Sequence, residues 1–213
     1  VIEDTFLLDF PIWNNSSKSY LSIYEKIKED GYTVVIEGHG ADELMGGYPY
    51  MVDAAIYTNI RKGSFLEAFR LLKLRRSVEK TFLRDINGNL LLEFFRRSVR
   101  SMLKKEYSFK ETLGHAFNVK ILPIVLRAFD RLTLGASIEN RSPFLDFRIV
   151  ELLREAPDRF LIDHKGTKRP IRSILSKYNR YEILEQKEKM GFTANIIEFF
   201  NNSENRADVL KYL

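Results

Sequence analysis

The stretch Glu37-Gly38-His39-Gly40-Ala41-Asp42-Glu43, followed by Gly46-Gly47-Tyr48, decides how this chain is interpreted. It comes directly after the apolar run 32–36, which is rich in β-branched residues. A short run of this kind that ends in glycines and carboxylates predicts a buried strand leading into a polar loop. Upstream, the apolar residues of 17–30 recur at helical spacing, and Asp30-Gly31 predicts the end of this helix. Helix, strand and glycine-rich loop together are typical of a parallel α/β sheet.

Beyond Tyr48 the chain reads as helical, with no second β-rich run. The spacing of apolar residues predicts helices at 49–60, 64–81, 88–105, 110–134, 146–155, 168–177, 180–188 and 193–211. Because a single strand leaves both of its edges unpaired, two hypotheses follow. The favoured one places the neighbouring strands upstream of Val1, and the other makes the chain all-helical with 32–37 as an extended connector. We therefore expect 1–47 to end a parallel nucleotide-binding sheet and 48–213 to form a helical part.

Composition bounds the classes of function. With 213 residues, 45% of them hydrophobic, the chain can bury one sizeable core. The absence of cysteine excludes disulfides, thiolate metal sites and cysteine nucleophiles. No apolar run approaches the ~20 residues of a membrane span, and the first residues lack the basic start of a secretion signal, so a cytoplasmic location away from membranes is expected.

Positive charge is concentrated in one part of the chain. The net charge is +5, whereas 61–110 alone holds 14 basic and five acidic residues, a net +9. Such a segment is compatible with nucleic acid, an anionic membrane or a polyphosphate, but solvated helix faces give the same pattern and are favoured here. Without aromatic interleaving or a recognition helix, a basic nucleic-acid-binding protein is the least favoured hypothesis.

The glycine-rich loop offers groups for ligand binding. Its glycines permit positive φ and close approach of a ligand, and Asp42 and Glu43 add charge suited to a divalent cation. A tight turn with solvated carboxylates is the alternative.

Three later segments also gather polar groups. In 130–146, the side chains of Glu139, Arg141 and Asp146 are expected to pair with one another or to bind a ligand, and a purely structural ion-pair network is equally compatible. In 165–172, several cations stand at a predicted helix start, facing an anionic ligand or solvent. The basic turn at 187–193 contains a glycine hinge and could cover a site.

Together the four segments resemble the synthetase domain of the asparagine synthetase family. The family pattern Ser-Gly-Glu-Gly-Ala/Ser-Asp-Glu with Gly-Gly-Tyr is similar to 37–48. The pattern Asp-Arg-x-x-Met-x-x-x-x-Glu-x-Arg-x-Pro-Phe-Leu-Asp is similar to 130–146, Lys-x-x-Leu-Arg to 168–172, and Lys-x-Gly-Phe to 189–192. Four motifs in the right order make the resemblance specific. It implies an α/β fold, the ATP-pyrophosphatase type of parallel-sheet domain, of which this chain would be the C-terminal, mostly helical part.

The resemblance also implies a reaction. In that family, ATP and Mg²⁺ serve to activate a small-molecule carboxylate as an acyl-adenylate, and ammonia or an amine then attacks to give an amide. Carried over by position, Asp42 would be a magnesium ligand and Lys168 would stabilise the pyrophosphate. The backbone of Gly38 and Gly40 would approach the nucleotide or acyl intermediate. The other residues expected to bind the substrate or nucleotide, or to support the site, are Glu37, Glu43, Arg141 and Asp146.

Two positions depart from the family pattern. His39 replaces a glutamate that assists proton removal from ammonia, and histidine can act as a general base near neutral pH. A different amine acceptor is therefore expected. The alternative is that His39 only hydrogen-bonds the loop. Glu37 replaces a serine, and its charge argues against plain aspartate amidation.

The chain lacks two parts of the family's machinery. The ATP-pyrophosphatase loop Ser-Gly-Gly-x-Asp-Ser occurs nowhere in 1–213, and there is no N-terminal cysteine of a glutaminase domain. We therefore expect a fragment of an amide-forming ligase that is inactive alone, needs the missing N-terminal part of the same protein as a partner, and is compatible with a homo-oligomer. The alternative is a non-catalytic binding module in which Glu37 and His39 mark a decayed site.

Overall fold

The computed structural model describes residues 17–79, 92, 94–96, 99 and 107–178. The chain divides into two compact units, one formed by 1–35, 127–141 and 191–213 and the other by 36–126 and 142–190. The predicted helices 180–188 and 193–211, the basic turn 187–193 and most of the predicted helix 88–105 lie outside the described residues.

The described part is mostly helical and contains a small parallel sheet. Its α-helices are α1 Ser17–Glu29, α2 Ala41–Met45, α3 Pro49–Arg61, α4 Phe65–Glu79, α5 Phe109–His115, α6 Leu122–Gly135, α7 Phe147–Glu155, α8 Asp158–Leu161 and α9 Arg169–Lys177. A π-helical turn Ala116–Lys120 follows α5, and a 3₁₀ turn Pro143–Leu145 precedes α7. The strands are β1 Val34–Ile36 and β2 Glu139–Arg141. None of the described helices is long and apolar enough to cross a membrane.

The first unit packs α1 and the sheet around a small core. Helix α1 ends as predicted, because Gly31 adopts φ 87° and the N–H of Tyr32 donates to the carbonyl of Ile27 at 3.2 Å. The N–H of Glu139 donates to the carbonyl of Thr33 at 2.9 Å, which joins the two strands. The buried side chains of this core are Tyr24, Leu132, Ala136 and Ile138.

Two expectations about the strand are wrong. Strand β1 is paired within the chain, because β2 lies beside it, so neither the single strand nor the all-helical alternative holds. The strand is also not buried: Val34 is 38% and Ile36 is 76% exposed, because the two-stranded sheet leaves one face open while Val35 packs on the core. The polar sequence of β2 gives no strand signal, since its pairing comes from backbone groups.

The second unit is built on α3 and α4, which pack against each other and are connected by a turn at Gly63. The guanidinium of Arg75 on α4 bonds the carboxylate of Asp53 on α3 at 3.2 Å. Phe109 is fully buried, and its N–H donates to the Thr58 hydroxyl at 2.8 Å, which fixes the start of α5 against α3. The predicted helices 49–60, 146–155 and 168–177 are confirmed within one residue at their starts, as α3, α7 and α9.

The single helix predicted at 110–134 is wrong. The chain forms α5, a π-helical turn closed by the N–H of Ile121 on the carbonyl of Ala116 at 3.1 Å, and then α6. Pro123 lacks an N–H for the carbonyl of Val119, so a continuous helix cannot pass this point. The polar loop predicted after β1 also differs, because its centre folds as the short helix α2.

Candidate active site

Two glycines of the 37–48 segment set the bounds of α2. Gly40 precedes the helix with φ 87°, and a Cβ at this residue would collide with the side chain of Leu145. Gly46 follows the helix with φ 73°, and the N–H of Gly47 then donates to the carbonyl of Asp42 at 2.9 Å. Residues with a side chain adopt this left-handed conformation rarely, which explains the glycines at these two positions.

Gly47 is required for a different reason. A Cβ at Gly47 would overlap the carboxylate of Asp42 and lie 2.8 Å from Cε of Lys168. The missing side chain therefore gives these two groups the room in which they meet. By contrast, nothing lies within 4 Å of a Cβ built on Gly38.

Asp42 and Lys168, both predicted site residues, are in direct contact. The Nζ of Lys168 lies 2.8 Å from Oδ1 of Asp42, with side chains 33% and 26% exposed. The backbone of Lys168 is also anchored, because its N–H donates to the carbonyl of Met45 at 3.1 Å. Lys168 adopts φ 54° just before α9, a conformation that is costly for a residue with a side chain. Tertiary contacts thus hold a strained lysine over the first turn of α2.

Glu37 and His39 form a second pair in the same segment. The Nε2 of His39 lies 2.5 Å from Oε2 of Glu37, and the side chains are only 15% and 18% exposed. The contact lies directly after β1, where His39 and Gly40 form the turn that leads into α2. The two residues that depart from the family pattern are therefore engaged with each other.

Glu43 lies inside the unit. It is 3% exposed, and its Oε1 accepts a hydrogen bond from the Tyr48 hydroxyl at 2.9 Å. Burial, followed by the charges of Glu43 and Asp42, raises the pKa of Tyr48 and raises that of Tyr50 to about 12. Both phenols are therefore harder to ionise than an ordinary tyrosine, whose pKa of about 10 already keeps it protonated at neutral pH. Tyr48 belongs to the 37–48 motif but is not among the predicted site residues. The motif gives no sign of its hydrogen bond to Glu43.

A cavity of about 170 Å³ lies beside Glu43. Its lining includes Lys110, whose Nζ donates to the carbonyls of Leu153 and Arg154 at 3.1 and 2.9 Å. Burial lowers the pKa of Lys110, with an opposing contribution from Asp158. Lys110 thus caps the end of α7, and sequence reasoning gave no signal for it.

The expected pairing among Glu139, Arg141 and Asp146 is correct only in part. The Nε of Arg141 bonds Oε1 of Glu139 at 2.7 Å, and this hydrogen bond lowers the pKa of the Glu139 carboxyl. Asp146 instead pairs with Arg148, whose hydrogen bonds lower the pKa of Asp146 to about 2. Asp146 also accepts from the N–H of Arg148 at the start of α7, so helix capping selects this partner. Arg141 belongs to the first unit and Asp146 to the second.

The two arginines of 165–172 have intramolecular partners. The Nε of Arg169 lies 3.0 Å from Oδ2 of Asp163, and that of Arg172 donates to the carbonyl of Thr167 at 3.0 Å. Burial, then the charge of Arg169, lowers the pKa of Arg172. Of the cations at this helix start, Lys168 is the one in contact with the carboxylate of Asp42.

The family model described as asparagine synthase matches residues 2–210. This chain belongs to the asparagine synthase family. It is 26% identical over 214 residues to asparagine synthetase [glutamine-hydrolyzing] 1 of Bacillus subtilis, covering 81% of this chain and 32% of the relative. It is 25% identical over 190 residues to asparagine synthetase [glutamine-hydrolyzing] 3 of the same organism, covering 87% and 30%. The chain spans about a third of the length of these relatives, and no solved structure matches it.

The expected use of ATP and Mg²⁺ raises the question of where a metal could bind. No cluster of three or more histidines, cysteines or carboxylates suited to a metal ion exists among 17–79, 92, 94–96, 99 and 107–178. Magnesium at nucleotide sites is commonly held by one or two carboxylates together with substrate phosphates. Asp42 would fit as such a single carboxylate ligand, because its side chain is partly exposed and lies beside Lys168, whose ammonium group could contact the phosphates.

Proposed function

We propose that this chain carries part of the active site of an ATP-dependent ligase that joins a small-molecule carboxylate to ammonia or an amine as an amide. Family membership supports the class of reaction. The observation that supports the site is the contact of Lys168 with Asp42, two residues far apart in sequence that the family pattern assigns to phosphate and magnesium. The activity belongs to a longer protein with an ATP-pyrophosphatase loop, and the paired strands belong to a sheet of the ATP-pyrophosphatase type.

Lys168 has the chemistry needed for the adenylation step. When the carboxylate attacks the α-phosphate of ATP, negative charge develops on the departing pyrophosphate, and a fixed cation in a partly shielded site stabilises that charge strongly. The αL backbone and the bond to Met45 hold Lys168 in place before the substrate arrives. Without nucleotide, the Asp42 carboxylate neutralises the lysine. With nucleotide, Asp42 would hold Mg²⁺, which supplies positive charge to the phosphates.

His39 is proposed to serve the second step. An imidazole can accept the proton that the amine loses as it attacks the acyl-adenylate. The neighbouring backbone of Gly38 leaves open space, whereas Gly40 packs against Leu145. Within the second unit, Asp146 would support the site through its ion pair with Arg148, and Glu43 through its bond to Tyr48, while the role of Arg141 stays a prediction.

The test uses the full-length protein and measures ATP–pyrophosphate exchange with a panel of small carboxylates. Lys168→Met should reduce exchange by about 100-fold or more, the range seen when one stabilising group of a transition state is removed. Lys62→Met is a matched control, because Lys62 also pairs with an aspartate, at 3.1 Å from Asp158, but lies outside the site. This control should leave exchange unchanged.

Two outcomes would contradict the proposal. One is a full-length protein without exchange for any carboxylate, and the other is a Lys168→Met variant as active as the control. Nucleotide binding without exchange would instead favour the non-catalytic binding module.

A further inference from the structure

A second group of charged side chains surrounds the cavity of about 170 Å³ beside Glu43. Its wall contains Glu43, Lys110 and Arg154, and the apolar side chains in it are Leu44, Leu113, Phe117 and Leu153. We propose that this cavity binds a small amino acid with an aliphatic side chain, whose ammonium group pairs with Glu43 and whose carboxylate pairs with Lys110 and Arg154. Neither Asp42 nor Lys168 lines the cavity, so this site is additional to the proposed adenylation site.

Glu43 supplies the negative group of the cavity. The residue is 3% exposed, and its Oε1 accepts the hydrogen bond of the Tyr48 hydroxyl. Within the part of the chain that the structure describes, Oε2 has no hydrogen bond and the carboxylate has no cationic partner. A buried charge is costly unless it is paired. The ammonium group of a ligand in the cavity would supply that pair.

Lys110 and Arg154 supply the positive groups. The Nζ of Lys110 donates to the carbonyls of Leu153 and Arg154 at 3.1 and 2.9 Å, which leaves one of its three protons for a ligand. The guanidinium of Arg154 lies over the ring of Phe117, with its carbon 5.8 Å from the ring centroid. Among the described residues, no carboxylate pairs with this guanidinium. Both cations can therefore donate to the carboxylate of a ligand.

The size and the apolar wall of the cavity narrow the ligand further. A volume of about 170 Å³ is below the ~300–1,000 Å³ of sites for drug-sized ligands, so the ligand is small. The apolar side chains favour a ligand with a short aliphatic group, because burying apolar surface is favourable. Charges of both signs favour a zwitterion, since an amine or an acid alone leaves part of that charge unpaired. An amino acid of the size of valine or leucine combines these features.

The experiment is isothermal titration calorimetry of the full-length protein, without ATP, with three matched probes. L-leucine carries both charges, isoamylamine lacks the carboxylate, and 4-methylpentanoate lacks the amine. L-leucine should bind with a Kd of about 1 mM or lower. Each analogue should bind about 10- to 100-fold more weakly, the range expected when one hydrogen-bonded contact to a charged group is lost.

Variants connect the probes to the residues of the cavity. Arg154→Met should weaken L-leucine by about 10-fold and leave isoamylamine unchanged, because that probe has no carboxylate. Glu43→Gln can still accept from Tyr48, and it should bring the affinity for L-leucine close to that for 4-methylpentanoate. Arg159→Met is the matched control, because Arg159 is also an exposed arginine of the second unit but does not line the cavity. It should bind all three probes as the wild type does.

Three results would overturn the inference. The first is that neither L-valine nor L-leucine binds, and the second is that Arg154→Met binds L-leucine as tightly as Arg159→Met. The third is binding that is lost in Lys168→Met and kept in Arg154→Met, which would place the amino acid at the adenylation site instead. Should Glu43→Gln fail to fold, the two analogues and Arg154→Met still decide the matter. Titration requires no turnover, so its result is separate from a failure of ATP–pyrophosphate exchange.

Discussion

Two charged segments, 37–48 and 139–148, are built in opposite ways. In 37–48, the charges are largely shielded, and the key partner of Asp42 comes from a distant part of the chain, Lys168. In 139–148, the pairs Glu139–Arg141 and Asp146–Arg148 join residues two apart, and their arginine side chains are 63% and 76% exposed.

The difference shows what a cluster of charges in a motif can mean. Exposed pairs between near neighbours contribute little to stability, because water and salt screen them. Partly buried pairs formed by tertiary packing depend on the fold and in turn constrain it. We therefore expect substitutions in 37–48 and at Lys168 to have large effects, and substitutions in 139–148 to have small ones.

The largest effect is expected where the backbone of 37–48 is most constrained. Gly40→Ala combines an αL residue with a clash on Leu145, and should lower the free energy of unfolding by about 3 kcal/mol. Gly31→Ala is the control, because it has the same φ of 87° with nothing within 4 Å of its Cβ, and should cost about 1 kcal/mol. Urea unfolding of both variants gives the difference. Equal costs would show that Leu145 does not constrain the loop.

Gly47→Ala should damage the site more than the fold. Its Cβ would displace the flexible ends of Asp42 and Lys168, so the adenylation rate should fall by about 100-fold while stability changes much less. Gly114→Ala, on α5 and with nothing within 4 Å of its Cβ, should retain adenylation. Exchange assays on the full-length protein compare the two variants. A fully active Gly47→Ala would mean that the Asp42–Lys168 contact is not needed for catalysis.

Lys168→Met and Arg141→Met compare the two kinds of ion pair directly. Lys168→Met leaves the partly shielded Asp42 carboxylate without its cation and should cost about 1–2 kcal/mol of unfolding free energy. Arg141→Met removes an exposed pair, and its denaturation midpoint should match that of the wild type. The contrast between the segments breaks down if Arg141→Met is the more destabilised variant.

The smallest effect concerns pH. Arg148 lowers the pKa of Asp146 from 3.8 to about 2 in the folded protein, so this carboxylate contributes stability above about pH 4 and loses it as the pH falls toward 2. Asp146→Asn should be slightly less stable than wild type at neutral pH, and the difference should close in that acidic window. Thermal unfolding across this range measures the difference. A constant difference would contradict the Asp146–Arg148 pair.

Much of the helical structure is predictable because its causes are local. The end of α1 follows from Asp30-Gly31, and α3, α7 and α9 follow from apolar spacing with prolines near two of their starts. The π-helical turn and the interruption before α6 are harder to foresee, although Pro123 is a visible signal. Strand β2 has polar side chains only, so its pairing could not be inferred from hydrophobic pattern.

The candidate site was predictable as a set of residues but not as a set of contacts. The motifs at 37–48 and 168–172 singled out Asp42, Lys168, Glu37 and His39, and the structure joins these residues as two pairs. It was wrong to expect Asp146 to pair with Glu139 or Arg141, because capping of α7 selects Arg148. The tyrosines that follow α2 acquire raised pKa values only through burial near Glu43 and Asp42.

By itself, the sequence determined the family motifs, the absence of cysteine chemistry, and the helices whose spacing and end signals are local. Tertiary structure alone decided that β1 pairs with β2, that Gly47 makes room for Lys168 on Asp42, and that the Glu37–His39 pair is shielded from water. The physical reason is that local propensity depends on residues within a few positions of one another. Pairing and burial depend instead on groups that only folding brings together, and these carry no mark in the neighbouring sequence.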